Sequence, residues 1–139
     1  MGEVRANILL KNLEDIALFK AGIIPENKIR QLEVDALVDT GSVRILLPQD
    51  AVDKLGLEIR EKITVPLAND QKVLLPRTGA FSLTVCEREM PTDALVGPPL
   101  CETLIGQLVL ENLDLVINPL RRTLTPHPDS PYVPHLKMK

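Results

Sequence analysis

Asp39 is the residue in this sequence whose setting first suggests chemistry. It follows the apolar run 36–38 and is followed by Thr40, Gly41 and Ser42. A glycine permits a tight turn and a close approach of backbone or substrate, and the two hydroxyls can hydrogen-bond to a carboxylate or bridge to a neighbouring loop. The stretch therefore indicates either an ordinary surface turn or a rigid carboxylate that is positioned to react.

Two other kinds of catalytic centre use the same residue types. A Ser/His/Asp triad on Ser42 would need a histidine, and His127 and His135 both lie far away in the C-terminal part of the chain. Asp35 and Asp39 could form a carboxylate pair of the glycosidase type, but Asp35 fits a solvent-facing position of a strand. Both arrangements are weaker interpretations than a single, oriented Asp39.

Cysteine and histidine give little support for a metal centre. Cys86 and Cys101 are the only cysteines, neither belongs to a CxxC motif, and both histidines lie far from them in the sequence. Zinc sites typically combine three or four such ligands. We expect no metal, no cofactor, and two buried free thiols of the kind found in a reducing compartment.

Alternating apolar and polar residues predict that the elements around Asp39 are mainly β-strands. Alternation predicts strands at 4–10, 31–38, 63–67 and 81–86, and short continuous apolar runs predict more deeply buried strands at 94–96 and 115–117. The segment 43–47, after Asp39, is also predicted to be a strand. The turn signal at 68–70 lies between two such runs and predicts a hairpin over 61–76. Pro66 and Pro76 cannot donate ladder hydrogen bonds, so we expect this hairpin at an edge of the sheet.

Two short helices are predicted among the strands. The stretch 48–56 begins with Pro48 and ends at Gly56, which are typical start and stop signals of a helix. The stretch 106–114 is the second, with Leu110 and Leu113 facing inward. Many short strands with few helices favour a barrel or a sandwich.

The composition is that of one globular domain. The chain has 139 residues, of which 45% are hydrophobic, so it can bury a core of its own. Phe19, Phe81 and Tyr132 are the only aromatic residues, so this core must be aliphatic. We expect a single domain over 1–124 and a proline-rich tail over 125–139, whose four prolines forbid a regular helix.

Charge and hydropathy exclude two classes of partner. The net charge is −3 and the isoelectric point is about 5.4, whereas nucleic-acid binders usually carry a basic patch. The sequence contains no apolar stretch long enough for a membrane span or a secretory signal. We expect a cytoplasmic protein that binds neither nucleic acid nor membrane.

The order of these motifs resembles that of the retropepsin-like aspartic proteases, the single-domain relatives of retroviral proteases. The segment "ALVDTGS" at 36–42 is similar to the catalytic loop of that family, and "TLIG" at 103–106 is similar to its second hallmark. The segment "LVGPP" at 95–99 is similar to the strand and turn that wall the substrate cleft. The resemblance covers about residues 30–120. It implies a mainly β acid-protease barrel with two short helices, one lobe per chain.

The resemblance also implies a mechanism that needs a pair of carboxylates. Two carboxylates about 3 Å apart cannot both ionise, so they share one proton: the ionised one activates water and the protonated one polarises the scissile carbonyl. The chain contains one Asp-Thr-Gly, so the second Asp39 would come from a second copy in a two-fold symmetric homodimer. The implied function is a homodimeric aspartic endopeptidase that cleaves polypeptides, with Asp39, Thr40 and Gly41 of each chain as the catalytic residues.

By the same resemblance, the hairpin 61–76 is the flap that closes over the substrate. The residues expected to bind the substrate are Ser42, Ala68, Asn69, Asp70, Gln71, Val96, Gly97 and Pro98. The polar tip 68–71 departs from the glycine-rich tip of viral flaps. This departure leaves an alternative, a non-catalytic peptide-binding or dimerisation module on the same fold.

The ends of the domain have an implied role in the dimer. In viral relatives the chain ends interleave into a sheet that holds the two copies together. The resemblance implies this role for the segments 4–10 and 121–126.

Overall fold

The computed structural model describes residues 3–67 and 69–128. The strands are β1 (Arg5–Asn12), β2 (Gln31–Val38), β3 (Leu46–Pro48), β4 (Ile59–Pro66), β5 (Lys72–Thr78), β6 (Phe81–Val85), β7 (Arg88–Thr92), β8 (Leu95–Gly97), β9 (Leu104–Ile105), β10 (Leu115–Asn118) and β11 (Thr123–Pro126). The α-helices are α1 (Leu13–Lys20), α2 (Gln49–Leu55) and α3 (Gln107–Asn112), and a 3₁₀ turn covers Glu26–Lys28.

Nine strands form one sheet, which curls into a half-barrel. Their order is β4-β5-β8-β3-β9-β2-β1-β6-β7, while β10 and β11 form a separate hairpin. The predicted mainly β architecture is confirmed, as are the two predicted helices, which are α2 and α3. Among the described residues, no helix is long and apolar enough to cross a membrane.

The middle of the sheet is built on β1. Residues 5–11 pair antiparallel with 31–37 of β2, and residues 9–12 pair with 81–84 of β6 on the other side. A strand has only two hydrogen-bonding edges, so 9–11 cannot also pair with a second copy of the chain. The interleaving role implied for 4–10 is therefore wrong for the last two residues of that segment, 9 and 10.

The hairpin β4–β5 lies at one end of the sheet, as predicted from its prolines. Strand β4 pairs only with β5 within the described residues, over Ile59 to Pro66. Strand β5 joins the rest of the sheet through the pair Arg77 and Leu95. Because most of the hairpin is paired only with itself, it projects from the sheet body.

Helix α1 was not among the predicted elements. It begins because the Asn12 side chain caps it and accepts a hydrogen bond from the Asp15 N–H at 2.9 Å. Asn12 also donates its amide N–H to the Leu55 carbonyl at 2.8 Å, which ties the start of α1 to the end of α2. Asp15 is the one buried residue of α1. The helix therefore lacks the apolar stripe from which a helix is predicted in a sequence.

The core is aliphatic around a single aromatic ring, as the composition predicted. Phe81 is completely buried, together with aliphatic side chains from both helices that pack on the sheet and from its central strands. These fully buried aliphatic residues include Ile8, Leu10, Ile45, Leu47, Leu55, Leu83, Ile105, Val52 and Val109. The core thus lies directly behind the strands that precede Asp39 and Gly106.

The C-terminal hairpin β10–β11 is held against β6 and β7 by polar contacts. The buried Arg88 guanidinium donates to the carbonyls of Leu113 and Asp114 at 2.6 and 3.1 Å. The Cys86 thiol donates to the Leu124 carbonyl at 3.2 Å. Strand β11 ends at Pro126, so it crosses the predicted domain boundary at 124, and residues 129–139 of the predicted tail lie outside the described residues.

The two thiols are half-buried rather than fully buried, and neither forms a disulfide. Burial raises the pKa of both Cys86 and Cys101 above its usual value. Both are therefore neutral, weakly nucleophilic thiols at neutral pH.

Candidate active site

Asp39 lies in the turn directly after β2, at the point where the sheet opens. Its N–H donates to the Ile105 carbonyl of β9 at 2.9 Å, which extends the short parallel pairing of β2 with β9 by one residue. The Gly41 N–H donates to the Asp39 carboxylate at 3.0 Å, and the Ser42 N–H donates to the Asp39 carbonyl at 3.1 Å. The half-buried carboxylate is thus held from its own turn by a backbone N–H, in place of the hydroxyls that the sequence suggested.

A second loop holds the far side of this turn. The N–H groups of Gln107 and Leu108, at the start of α3, donate to the carbonyls of Ser42 and Val43 at 2.7 and 3.2 Å. These bonds replace ladder pairing, so β3 begins only at Leu46 and not at 43, where a strand was predicted.

Gly106 makes this contact sterically feasible. A Cβ on Gly106 would lie 2.3 Å from the Ser42 carbonyl oxygen and under 3.0 Å from two further backbone carbons of Ser42 and Val43. Real Cβ atoms do not approach backbone atoms that closely, so the position requires the absence of a side chain. The "TLIG" motif therefore braces the Asp39 turn through backbone atoms.

The Ser42 side chain does not contact the Asp39 carboxylate. Its hydroxyl donates to the Arg44 carbonyl at 3.1 Å, so it closes the next turn of the loop. Of the two roles that the sequence allowed for this hydroxyl, the bond to the carboxylate is therefore not formed, and the backbone N–H of Ser42 makes the link to Asp39. Asp35, the partner considered for a glycosidase-like pair, is engaged by Arg5 Nε at 2.6 Å.

A cleft of about 460 Å³ lies between the Asp39 turn and the underside of the β4–β5 hairpin. Its floor includes Leu46, Leu95 and Leu104, which are cross-strand neighbours on β3, β8 and β9. The residues that line it are Asp39, Gly41, Ser42, Val43, Arg44, Leu46, Ile63, Thr64, Val65, Pro66, Leu67, Val73, Leu75, Leu95 and Leu104. Most of these side chains are apolar, so the cleft suits apolar groups of a ligand.

The structure brings only part of the predicted site to this cleft. Asp39, Gly41 and Ser42 line it, whereas Thr40 is exposed beside it. Asn69, Asp70 and Gln71 are exposed at the hairpin tip and do not line it, and Ala68 lies outside the described residues.

The strand β8 contributes a different residue from the ones predicted. Leu95 lines the cleft, whereas Val96 packs in the core, because successive side chains of a strand point to opposite faces. Gly97 is buried under the Cys101 sulfur, and Pro98 is exposed beyond the end of the strand. The predicted wall residues, 96–98, therefore follow the observed lining residue Leu95 by one to three positions.

The lining residues that sequence reasoning missed are mainly those of the hairpin underside. Ile63 and Val65 on β4 face Leu75 and Val73 on β5 in the observed register. The alternation that identified the hairpin carried this information, because apolar residues two apart share one face.

Charged side chains anchor the base of the hairpin. Arg77 on β5 donates to the carboxylates of Glu61 on β4 and Asp93, with Nε 2.9 Å from Glu61 and NH1 2.6 Å from Asp93. Hydrogen bonding to Arg77 lowers the pKa of Glu61 below its usual value. This cluster fixes the base of the hairpin next to the loop before β8.

Comparisons with known proteins fit this arrangement. A family model described as "Aspartyl protease" matches residues 26–128. No curated protein matches the chain in sequence. The solved EIAV protease in complex with the inhibitor HBY-793 is 19% identical with a TM-score of 0.50, over 59% of this chain and 78% of that one.

A second solved structure is the retroviral protease-like domain of Ddi1 from Leishmania major. It is 13% identical with a TM-score of 0.57, over 92% of this chain and 90% of that domain. At such identities the two structures establish the retropepsin-like fold and no more. The family model covers most of the chain, including both the Asp39 turn and Gly106, and the chain therefore belongs to the aspartyl protease family.

Proposed function

We propose that the protein is a homodimeric aspartic endopeptidase. The observation that carries the proposal is the position of Asp39, whose carboxylate is held by its own turn at the floor of an apolar cleft under a projecting hairpin. In the proposed mechanism, the Asp39 carboxylates of two copies share one proton and activate a water molecule between them. The ionised carboxylate takes a proton from the water, whose oxygen attacks the scissile carbonyl carbon, while the protonated carboxyl polarises the carbonyl oxygen. The C–N bond then breaks, and the departing amine takes up a proton from the pair. Thr40 and Gly41 support this pair from each chain.

The surface beside Asp39 supports a second copy as the missing partner. Thr40 and Gly41 are exposed, Val43 is 66% exposed, and Leu108 is 37% exposed. Val43 and Leu108 are neighbours, since their backbones share a hydrogen bond. A second copy placed on this surface would cover these apolar groups and bring its own Asp39 to the first. The proposed two-fold axis therefore passes beside the Asp39 turn, between the two copies of that turn.

The proposed setting is the cytoplasm. The two free thiols, Cys86 and Cys101, support a reducing compartment. We propose polypeptides as partners besides the second copy, with the hairpin β4–β5 as the flap over them.

The substitution Asp39→Asn tests the proposal. We expect it to lower kcat/KM for peptide cleavage by at least about 10³-fold, because an amide can neither act as the base nor share the proton. Circular dichroism and molecular mass in solution should not change. The matched control is Asp35→Asn, which removes a carboxylate from the strand that precedes Asp39, at a position that does not line the cleft. Equal cleavage by Asp39→Asn and the parent protein would refute the proposal.

A non-catalytic peptide-binding module is the second candidate, and the hairpin tip favours it. The Gln71 N–H donates to the Asn69 side chain at 3.1 Å, and the two side chains also bond to each other at 3.3 Å. A tip closed by its own hydrogen bonds is less suited to opening and closing during turnover. This candidate predicts that peptides bind without being cut between about pH 3 and 8, a range that covers the titration of a carboxylate pair.

A further inference from the structure

One cationic side chain lines the otherwise apolar cleft. Asp39 and Arg44 are the two ionisable residues among the described residues that line it. Arg44 belongs to the same loop as Asp39 and follows the turn that Ser42 closes. Its side chain is 46% exposed, and Arg44 is one of the residues that line the cleft.

The nearest acidic group does not engage Arg44 in a hydrogen bond. Arg44 NH1 lies 4.0 Å from Asp93 Oδ1, which is too long for a hydrogen bond. The other oxygen of Asp93 receives Arg77 NH1 at 2.6 Å, and Arg77 binds Glu61 as well. Arg77 therefore compensates the charge of Asp93 at close range, and Arg44 keeps its capacity to bind an anionic group of a ligand.

The chemistry of this arrangement selects one kind of substrate. Leucine, isoleucine and valine side chains line the floor and roof, so they accept apolar residues of an extended peptide. A guanidinium presents donors in a planar fork that matches a carboxylate. An arginine that lines an apolar cleft and makes no hydrogen bond to its nearest carboxylate therefore favours an acidic side chain of a ligand over a neutral or basic one.

We propose that Arg44 determines substrate specificity by binding an aspartate or glutamate side chain of the peptide near the scissile bond. This inference rests on the proposed peptidase function and deepens it. In the homodimer, the two-fold axis supplies one Arg44 on each side of the paired Asp39 residues. The preferred substrate thus has apolar residues at the scissile bond and an acidic residue on each side of them.

The preference has three physical signatures. It acts on binding, so replacing the acidic residue by glutamine raises KM and leaves kcat nearly unchanged. It weakens as ionic strength rises, because the arginine is partly exposed. It fades as the pH falls through about 4.3, where a glutamate side chain takes up a proton.

The test uses matched peptides with a constant apolar centre. On each side of this centre, one position carries Glu, Gln or Lys. For the parent protein we expect kcat/KM to be about fivefold higher for Glu than for Gln, the size expected of a partly exposed ion pair. The variant Arg44→Gln should abolish this ratio, and Arg44→Glu should reverse it in favour of Lys. The control Arg60→Gln removes an arginine of similar exposure, 45%, that lies outside the cleft, and should keep the ratio.

A binding measurement separates this inference from the peptidase proposal. Fluorescence polarisation with the Asp39→Asn protein compares the affinity of the Glu and Gln peptides without any cleavage. If the Glu peptide binds no more tightly than the Gln peptide, or if Arg44→Gln keeps the difference, the role of Arg44 is refuted, whether or not the parent cleaves. If the parent cleaves no peptide but binds Glu peptides through Arg44, the peptidase proposal fails and the role of Arg44 in binding acidic side chains is upheld.

Discussion

Asp39 and Gly106 are far apart in the sequence, but backbone atoms join the loops that contain them. The Asp39 turn offers its Ser42 and Val43 carbonyls to the first N–H groups of α3, and Gly106 lies where any Cβ would strike that turn. The φ of Gly106 is −114°, a value that other residues adopt readily. The requirement for glycine is therefore one of space and not of backbone conformation.

We predict that Gly106→Ala destabilises the fold by about 1–3 kcal/mol, the usual cost of forcing atoms into a packed site. The added methyl group meets backbone, which cannot rotate away, so this cost exceeds the gain of about 0.4–1 kcal/mol that alanine brings by restricting the unfolded chain. Urea unfolding measures the loss. Cleavage should fall as well, because the Asp39 turn must shift.

The control for this prediction is Gly79→Ala. A Cβ at Gly79 would lie 3.5 Å from its nearest neighbours, which is ordinary contact distance. We expect its stability to stay within about 0.5 kcal/mol of the parent or to rise slightly. Equal losses in the two variants would show that the Gly106 contact does not constrain the turn.

At the scale of elements, the insertion between β1 and β2 is fastened by one ion pair. Asp15 of α1 is 5% exposed and accepts hydrogen bonds from Arg30 through the backbone N–H at 2.9 Å, Nε at 2.8 Å and NH2 at 3.0 Å. These bonds hold the pKa of Asp15 below its usual value. Arg30 directly precedes β2, so the pair couples α1 to the strand that leads to Asp39.

We predict that Asp15→Asn lowers the free energy of unfolding by about 1–3 kcal/mol at pH 7, because Arg30 loses its charged partner. The ionised Asp15 carboxylate stabilises the folded state fully at pH values above its unfolded-state pKa of about 3.9. Because its pKa in the folded state is lower, this stabilisation is lost as the pH falls from about 3.9 through the folded-state pKa. The difference between parent and variant should therefore be constant from pH 7 to 5 and shrink towards pH 3.

Urea unfolding at several pH values checks this prediction, with Asp53→Asn as the control. Asp53 is an exposed residue of α2 that accepts a hydrogen bond from Gln49, and its replacement should change stability by less than about 0.5 kcal/mol. A difference between Asp15→Asn and the parent that is the same at pH 3 and pH 7 would contradict an electrostatic role for the pair.

At the scale of the whole molecule, one chain forms one half of the proposed catalytic centre. The cleft holds a single Asp39, and the surface beside that residue is exposed and partly apolar. A two-fold axis there would complete the carboxylate pair and duplicate the cleft. The proposed activity therefore depends on a contact between chains.

We predict that mixing parent and Asp39→Asn protein at constant total concentration lowers activity with the square of the parent fraction. A dimer needs two Asp39 residues, so an equal mixture after exchange should keep about one quarter of the activity and not one half. The control mixture uses Arg60→Gln protein in place of Asp39→Asn protein, and its cleavage activity should equal that of the parent. A linear decrease with the parent fraction would refute the shared site and indicate an active monomer.

Local patterns in the sequence were enough to predict several elements and the central residue of the site. Alternation predicted β1, β2, β4 and β6, proline and glycine predicted the limits of α2, and two prolines predicted that β4–β5 lies at an edge, whereas β7, β9 and β11 were not predicted. These features depend on residues that are close together in the chain, so the same local structure forms regardless of where the segment lies in the fold. The motif around Asp39 is of the same kind, because its turn is closed by its own backbone.

Contacts between distant segments were decided only by the tertiary structure. Sequence patterns did not reveal that both edges of β1 are occupied, that Leu95 faces the cleft in place of Val96, or that the Ser42 hydroxyl turns to Arg44. The same holds for Arg44 and Asp93, which meet in space but lie on separate loops. Which face of a strand is buried, and which partner a polar group finds, depends on how the whole sheet curls, and no local pattern records that.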